Sequence, residues 1–120
     1  MPCFNFFTNL TKNDIPKDFI DKIIPVLARV VRKPTANFIC MVSTDCQVSF
    51  GEQSTLPCAV ASLESIGHVG PEDNKLITKE LTEFMDKELA IKPDRFFITF
   101  YDLKAYDVGK GGIIMNEIYG

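Results

Sequence analysis

Two stretches of this chain read alike. Pro2-Cys3 opens the first and Pro57-Cys58 opens the second; each continues through a strand-like run and an amphipathic stretch to a Lys-Pro pair, Lys33-Pro34 and Lys92-Pro93, followed by a phenylalanine-led strand. A duplicated strand-helix-strand unit leaves few architectures open. Parallel strands joined by a helix cross over right-handedly, so two such units sharing one sheet place both helices on the same face. The repeat therefore predicts an α+β fold. Two pseudo-symmetric β-α-β units form a four-stranded mixed sheet with two helices on one face, in a single domain over residues 1–120.

The elements follow from periodicity. Cys3 to Thr8 reads as a strand and Asn9 to Asp14 as a polar turn. Pro16 suits a first helical turn, and Phe19, Ile20, Ile23, Ile24, Leu27, Val30 and Val31 make one broad apolar face before Lys33-Pro34 ends the helix. Pro25 lies inside it, where it removes a backbone hydrogen bond and predicts a kink. Strands are expected over Phe38 to Ser43 and, briefly, Gln47 to Phe50, with a turn over Gly51 to Thr55. In the second unit Ala59 to Ile66 reads as a strand, Gly67 to Pro71 as a turn, Glu72 to Leu89 as a helix and Phe96 to Tyr101 as a strand. The tail from Val108 to Ile118 offers two short strand pieces about a turn at Gly109 to Gly112.

Phe38-Ile39-Cys40-Met41-Val42 and Phe96-Phe97-Ile98 are nearly continuous apolar runs. Such strands are buried on both faces, yet two helices cover only one. A chain of this size gains from further burial, and a closed ring of identical copies is the simplest cover for the second face. A homo-oligomer is the expectation.

Bulk properties narrow the function. A net charge of −3, from 13 basic and 16 acidic residues spread along the chain, supplies no phosphate-seeking patch, so nucleic acid is not an expected partner. Cysteines 3, 40, 46 and 58 have neither zinc-site spacing nor disulfide-scaffold density and read as free thiols. Met1 to Leu10 has no basic region followed by a long apolar core, and no apolar run reaches membrane-spanning length. Synthesis in the cytoplasm is expected, with no membrane partner and, for any role outside the cell, a leaderless route. His68, in a turn beside glycine and without a second ligand nearby, reads as a surface or helix-entry residue, and Gly109 to Gly112 lacks the spacing of a phosphate loop. No metal site and no cofactor are expected.

Pro2 is the residue with chemical potential. Removal of an initiator methionine generally favours a small second residue, and it would convert Pro2 from a tertiary amide to a basic secondary amine. An α-amino group in water titrates at a pKa of about 8, which burial or a neighbouring cation lowers toward neutrality, where it can act as a base. Phe4, Phe6 and Phe7 make the surroundings apolar, and Lys33 is a candidate cation.

Together, Pro2 before an apolar strand, Thr8-Asn9, Lys33-Pro34, Ser65-Ile66-Gly67, Pro93-Asp94-Arg95 and Val108-Gly109 resemble, in order and separation, the macrophage migration inhibitory factor family of the tautomerase superfamily. The likeness spans nearly the whole chain. It implies a homotrimer with sheets around a central channel and sites between subunits, working as a cofactor-independent isomerase on phenylpyruvate-like or dopachrome-like substrates. Carried over, Pro2 is the catalytic base, Lys33 binds a substrate carboxylate or carbonyl, the N–H of Ile66 beside Ser65 donates a hydrogen bond, and Val108 belongs to the apolar wall. Phe97 and Thr99 stand where the best-known members have tyrosine and asparagine, and Lys110 replaces an aromatic residue at the pocket mouth, which implies altered substrate preference. Ala61, three places after Cys58, breaks the family's cysteine pair. The resemblance also implies a secreted, cytokine-like role, with the invariant chain and chemokine receptors as partners, and as the alternative to an active enzyme a receptor-binding homologue with weak or vestigial tautomerase activity; Lys12 and Asp45 match charged positions used toward chemokine receptors.

Overall fold

The computed structural model describes residues 1–116. Strand β1 spans Cys3–Thr8, helix α1 Phe19–Val31, β2 Ile39–Ser43, β3 Ala59–Ser65, α2 Pro71–Leu89 and β4 Phe96–Asp102, and the small strands β5, Gly109–Lys110, and β6, Ile113–Ile114, form a separate hairpin. The main sheet has the order β2-β1-β3-β4. β1 pairs with β2 and β3 with β4 in parallel, one pair per repeat, while β1 and β3 join the repeats antiparallel. This is the expected mixed sheet.

Alternation decides what each strand buries. Phe4 and Phe6 face the helices and are fully buried, as are Phe19, Ile23 and Leu27 of α1 and Ile77, Leu81 and Met85 of α2. The Phe6 and Phe19 rings stand 5.7 Å apart, and Phe19 and Phe84 likewise, so aromatic contacts tie β1, α1 and α2 together. Both helices end at a left-handed residue, Arg32 (φ 63°) and Ala90 (φ 54°), each donating its N–H back to the last turn.

Several boundaries differ from expectation. Helix α1 begins at Phe19, because Pro16 to Asp18 close a turn in which the Phe19 N–H donates to the Pro16 carbonyl at 3.0 Å. It runs on through Pro25, which is exposed, so water can serve the carbonyl that a proline cannot. Pro71 is the first residue of α2 and not part of the preceding turn, the place where a missing N–H costs nothing. The expected strand over Gln47 to Phe50 does not form: only Phe50 bridges, to Gln53 across a turn. A strand needs a ladder partner, and among the described residues this segment has none beyond that bridge; Asp45 and Cys46 donate instead to the carbonyls of Leu10 and Thr8. In the tail, Gly111 and Gly112 at φ 65° and 87° make a two-residue hairpin turn, tighter than the stretch expected from Gly109 to Gly112. The final part of the expected tail strands, through Ile118, lies outside the described residues.

The sheet face opposite the helices is open. Phe7, Ile39, Met41, Phe97 and Tyr101 stand on it between 44% and 54% exposed. The continuous apolar runs of the sequence therefore alternate between a buried and an open side within one chain.

Candidate active site

Pro2 is buried at the start of β1, and its carbonyl accepts the N–H of Ile39 at 2.9 Å. The antiparallel register of Cys3 with Glu64, continued outward, sets Pro2 across from Ser65 and Met1 across from Ile66. Strand pairing thus brings the amino terminus to the end of β3, between two neighbouring strands.

The Ser65-Ile66-Gly67 turn is held from several sides. Buried Ser65 donates its Oγ proton to the Gly67 carbonyl at 2.7 Å and accepts the Leu103 N–H at its own carbonyl at 2.8 Å. The Gly67 N–H donates to Oδ1 of Asp102 at 3.0 Å, and Gly67 takes φ 71°, a conformation natural to glycine. Lys33, placed just after the left-handed end of α1, donates from Nζ to the Ile66 carbonyl at 2.7 Å. An ammonium has three protons, so two remain for a ligand. The Ile66 N–H has no partner among the described residues.

The electrostatics favour a neutral amine here. The amino group of Met1 is held below its ordinary pKa, first by burial, then by the positive charges of Lys33 and Lys110. The Lys33 ammonium is itself lowered by burial, which the nearby Asp102 carboxylate opposes. Lys110 reaches the site because β4 ends at Asp102, opposite Ser65, and the β5-β6 hairpin continues from that end of the sheet.

Not all the candidate residues meet in one chain. Pro2, Lys33, Ser65 and Ile66 cluster. Phe97 pairs with Val60, five residues from the Asp102 end of β4, or about 16 Å along the strand at strand rise. Thr99 is about 10 Å from that end, and both lie on the open face of the sheet. Val108 is partly buried, its carbonyl accepting the Met115 N–H at 2.8 Å beside the hairpin.

The structure adds residues that the sequence did not single out. Arg32, Asn37 and His68 join Lys33, Pro34 and Ile66 around a cleft of about 320 Å³. His68 is exposed, as expected, but its Nδ1 also meets the Val31 carbonyl at 2.8 Å, at the end of α1. The adjacent basic pair Arg32-Lys33 was the available signal. Among the described residues no group of three His, Cys, Asp or Glu side chains could hold a metal, and the four cysteines are free. No helix of the described residues is long and apolar enough to cross a membrane.

The family described as macrophage migration inhibitory factor matches this chain over residues 1–116. This chain belongs to the macrophage migration inhibitory factor family. It is 38% identical to macrophage migration inhibitory factor of Xenopus laevis over 112 residues, covering 93% of this chain and 96% of that protein. A homolog from Trichinella spiralis is 35% identical over the same length, covering 93% of this chain and 97% of its own. The solved structure of the Trichinella spiralis factor superposes with a TM-score of 0.89 at 32% identity, covering 93% of this chain and 98% of that one. Tautomerase and cytokine roles are general to the family. Membership accounts for the paired repeats.

Proposed function

We propose that this protein is a cofactor-independent keto-enol tautomerase in which Pro2, freed by removal of Met1, is the general base. The observation that carries the reading is the placement of the partly buried amino terminus near Ile66 and Lys33, where burial and two cations hold an amine below its ordinary pKa. Removing Met1 moves the amine inward by one residue, about 3.8 Å, to a position already buried. The same causes then act on the proline nitrogen and favour its neutral, basic form.

In the reaction, the Pro2 lone pair takes a proton from the carbon next to the ketone. The C–H electron pair becomes the carbon–carbon double bond and the carbonyl electrons move to oxygen. Lys33 binds the carboxylate or carbonyl oxygen, and the Ile66 N–H, fixed by the Ser65 turn, stabilises the negative oxygen as it forms. Proline then returns its proton elsewhere on the enol system. Aromatic 2-oxo acids of the phenylpyruvate type and dopachrome-like compounds are the proposed substrates.

The open sheet face supports a homotrimer in which a neighbouring subunit brings Phe97 and Thr99 to the Pro2 site that they cannot reach within one chain. Phe97 and Val108 then supply apolar wall, with Thr99 contributing a short hydroxyl. The experiment is the Pro2→Gly variant with its processed terminus verified by intact mass. Phenylpyruvate enolisation should fall by about 100-fold or more with the melting temperature retained; an undiminished rate would exclude Pro2 as the base.

A second reading, a secreted cytokine-like signal, is favoured by one surface feature. The backbone N–H of Lys12 donates to Asp45 Oδ2 at 3.2 Å, bringing these two exposed charged residues together. Receptor binding of this kind should survive Pro2→Gly and weaken in Lys12→Ala; failure of the intact protein to bind the invariant chain or chemokine receptors would remove it.

A further inference from the structure

The cleft beyond Lys33 has a chemistry of its own. Among its described lining residues, Arg32 and Lys33 carry positive charge, His68 adds an imidazole, and Asn37 adds a side-chain amide with no hydrogen bond among the described residues. Among the described residues no acidic side chain lines it. Two carboxylates act on its cations: Asp73 meets Arg32 Nη2 at 3.2 Å, leaving the other guanidinium N–H groups, and Asp102, which accepts the Gly67 N–H, acts on Lys33. A carbonyl can only accept, so the 2.8 Å contact of His68 with the Val31 carbonyl assigns a proton to Nδ1 and leaves Nε2 as the ring atom free to meet a ligand.

Backbone strain marks the same two residues. Arg32 and His68 hold φ 63° and 62°, in the left-handed region where glycine is the least costly residue, and both border this one cleft. At Arg32 this conformation ends α1, as Ala90 ends α2, and the helix end brings the guanidinium to the cleft. Lys33 links the cleft to the proposed reaction centre, since its Nζ is bonded to Ile66, which lines the cleft and lies across from the amino terminus.

The geometry points to a second anion subsite, formed by Arg32, Asn37 and His68 beyond Lys33, which makes the preferred substrate a 2-oxo acid carrying a further carboxylate at its other end. One carboxylate or carbonyl meets Lys33 near Pro2 and the other occupies the cleft. This rests on the assignment of Pro2 as base, and the test separates the two.

Phenylpyruvate and 4-carboxyphenylpyruvate differ by one carboxylate. Their kcat/KM values and their calorimetric Kd values are compared in the intact protein and in Arg32→Gly, His68→Asn and the double variant; glycine and asparagine both tolerate the left-handed backbone. The intact protein should prefer the dicarboxylate by about tenfold or more in both measurements, each single variant should lose part of that preference, and the double variant nearly all of it. Equal preference in the intact and double-variant proteins, or tighter binding of phenylpyruvate by the intact protein, overturns the subsite. Pro2→Gly should lose turnover of both compounds while keeping the preference in Kd. If Pro2→Gly turns over normally, the base assignment falls, and the Kd ratios still decide the subsite.

Discussion

Replacing Lys33 by methionine keeps the length of the side chain and removes its charge, and its consequences can be worked from three contacts. The 2.7 Å bond to the Ile66 carbonyl disappears, but the group is only partly buried and water can take its place, so folding should weaken by no more than about 1 kcal/mol. A substrate anion loses its charged partner, worth about 2–3 kcal/mol in transition-state binding, or about 30- to 150-fold in kcat/KM. The third effect has a direction that a purely structural role would not give. Lys33 is one of the two cations that lower the pKa of the amino terminus, so its removal raises that pKa. A base works deprotonated, hence kcat/KM climbs with pH through this pKa, and the ascending limb must move to higher pH in the variant. The assay is phenylpyruvate enolisation followed by absorbance from pH 5 to 9 on protein of verified terminus, with Lys33→Arg as the charge-retaining comparison, expected to restore the limb. A limb that stays in place or moves to lower pH, with kcat/KM within about threefold of the parent, would refute this placement of Lys33.

Other expectations test the scaffold around the site. Thr8 is fully buried, donates to the Cys58 carbonyl at 2.7 Å and accepts the Leu10 N–H at 3.2 Å, so Thr8→Val should cost about 1–3 kcal/mol in urea unfolding by leaving both groups unpaired. Met41→Glu places a charge on the open sheet face and should shift sedimentation from an oligomer to a folded monomer; an unchanged sedimentation coefficient would show that this face is not the interface. Burial raises the Cys40 thiol to about 11, with Cys3 adding to the shift. Its alkylation at pH 8, followed by peptide mapping, should then be about 100-fold slower than that of an unfolded cysteine peptide, and comparable rates would show it to be exposed.

Much of the architecture was legible in the sequence because the information is local and periodic. Alternation in Cys3 to Thr8 and the helical spacing of Phe19, Ile23 and Leu27 identify the faces that enter the core, and the repeated Lys-Pro places the ends of both helices. The segment from Gln47 to Phe50 departs from the strand expected of it because apolar content does not supply a ladder partner.

The amine at Pro2 is likewise determined by the sequence alone: its acid–base character depends on the residue type and on removal of Met1. What surrounds that amine was decided only by tertiary structure. The antiparallel joining of β1 to β3 carries Pro2 to Ser65, and the end of α1 delivers Lys33 to a carbonyl 33 residues away along the chain. The same register sends Phe97 and Thr99 to the open face and leaves Arg32 and His68 around one cleft. Periodicity states which side of an element is buried, whereas strand order and register determine which distant ends meet, and here they set an ordinary second residue across from Ser65 and near Lys33.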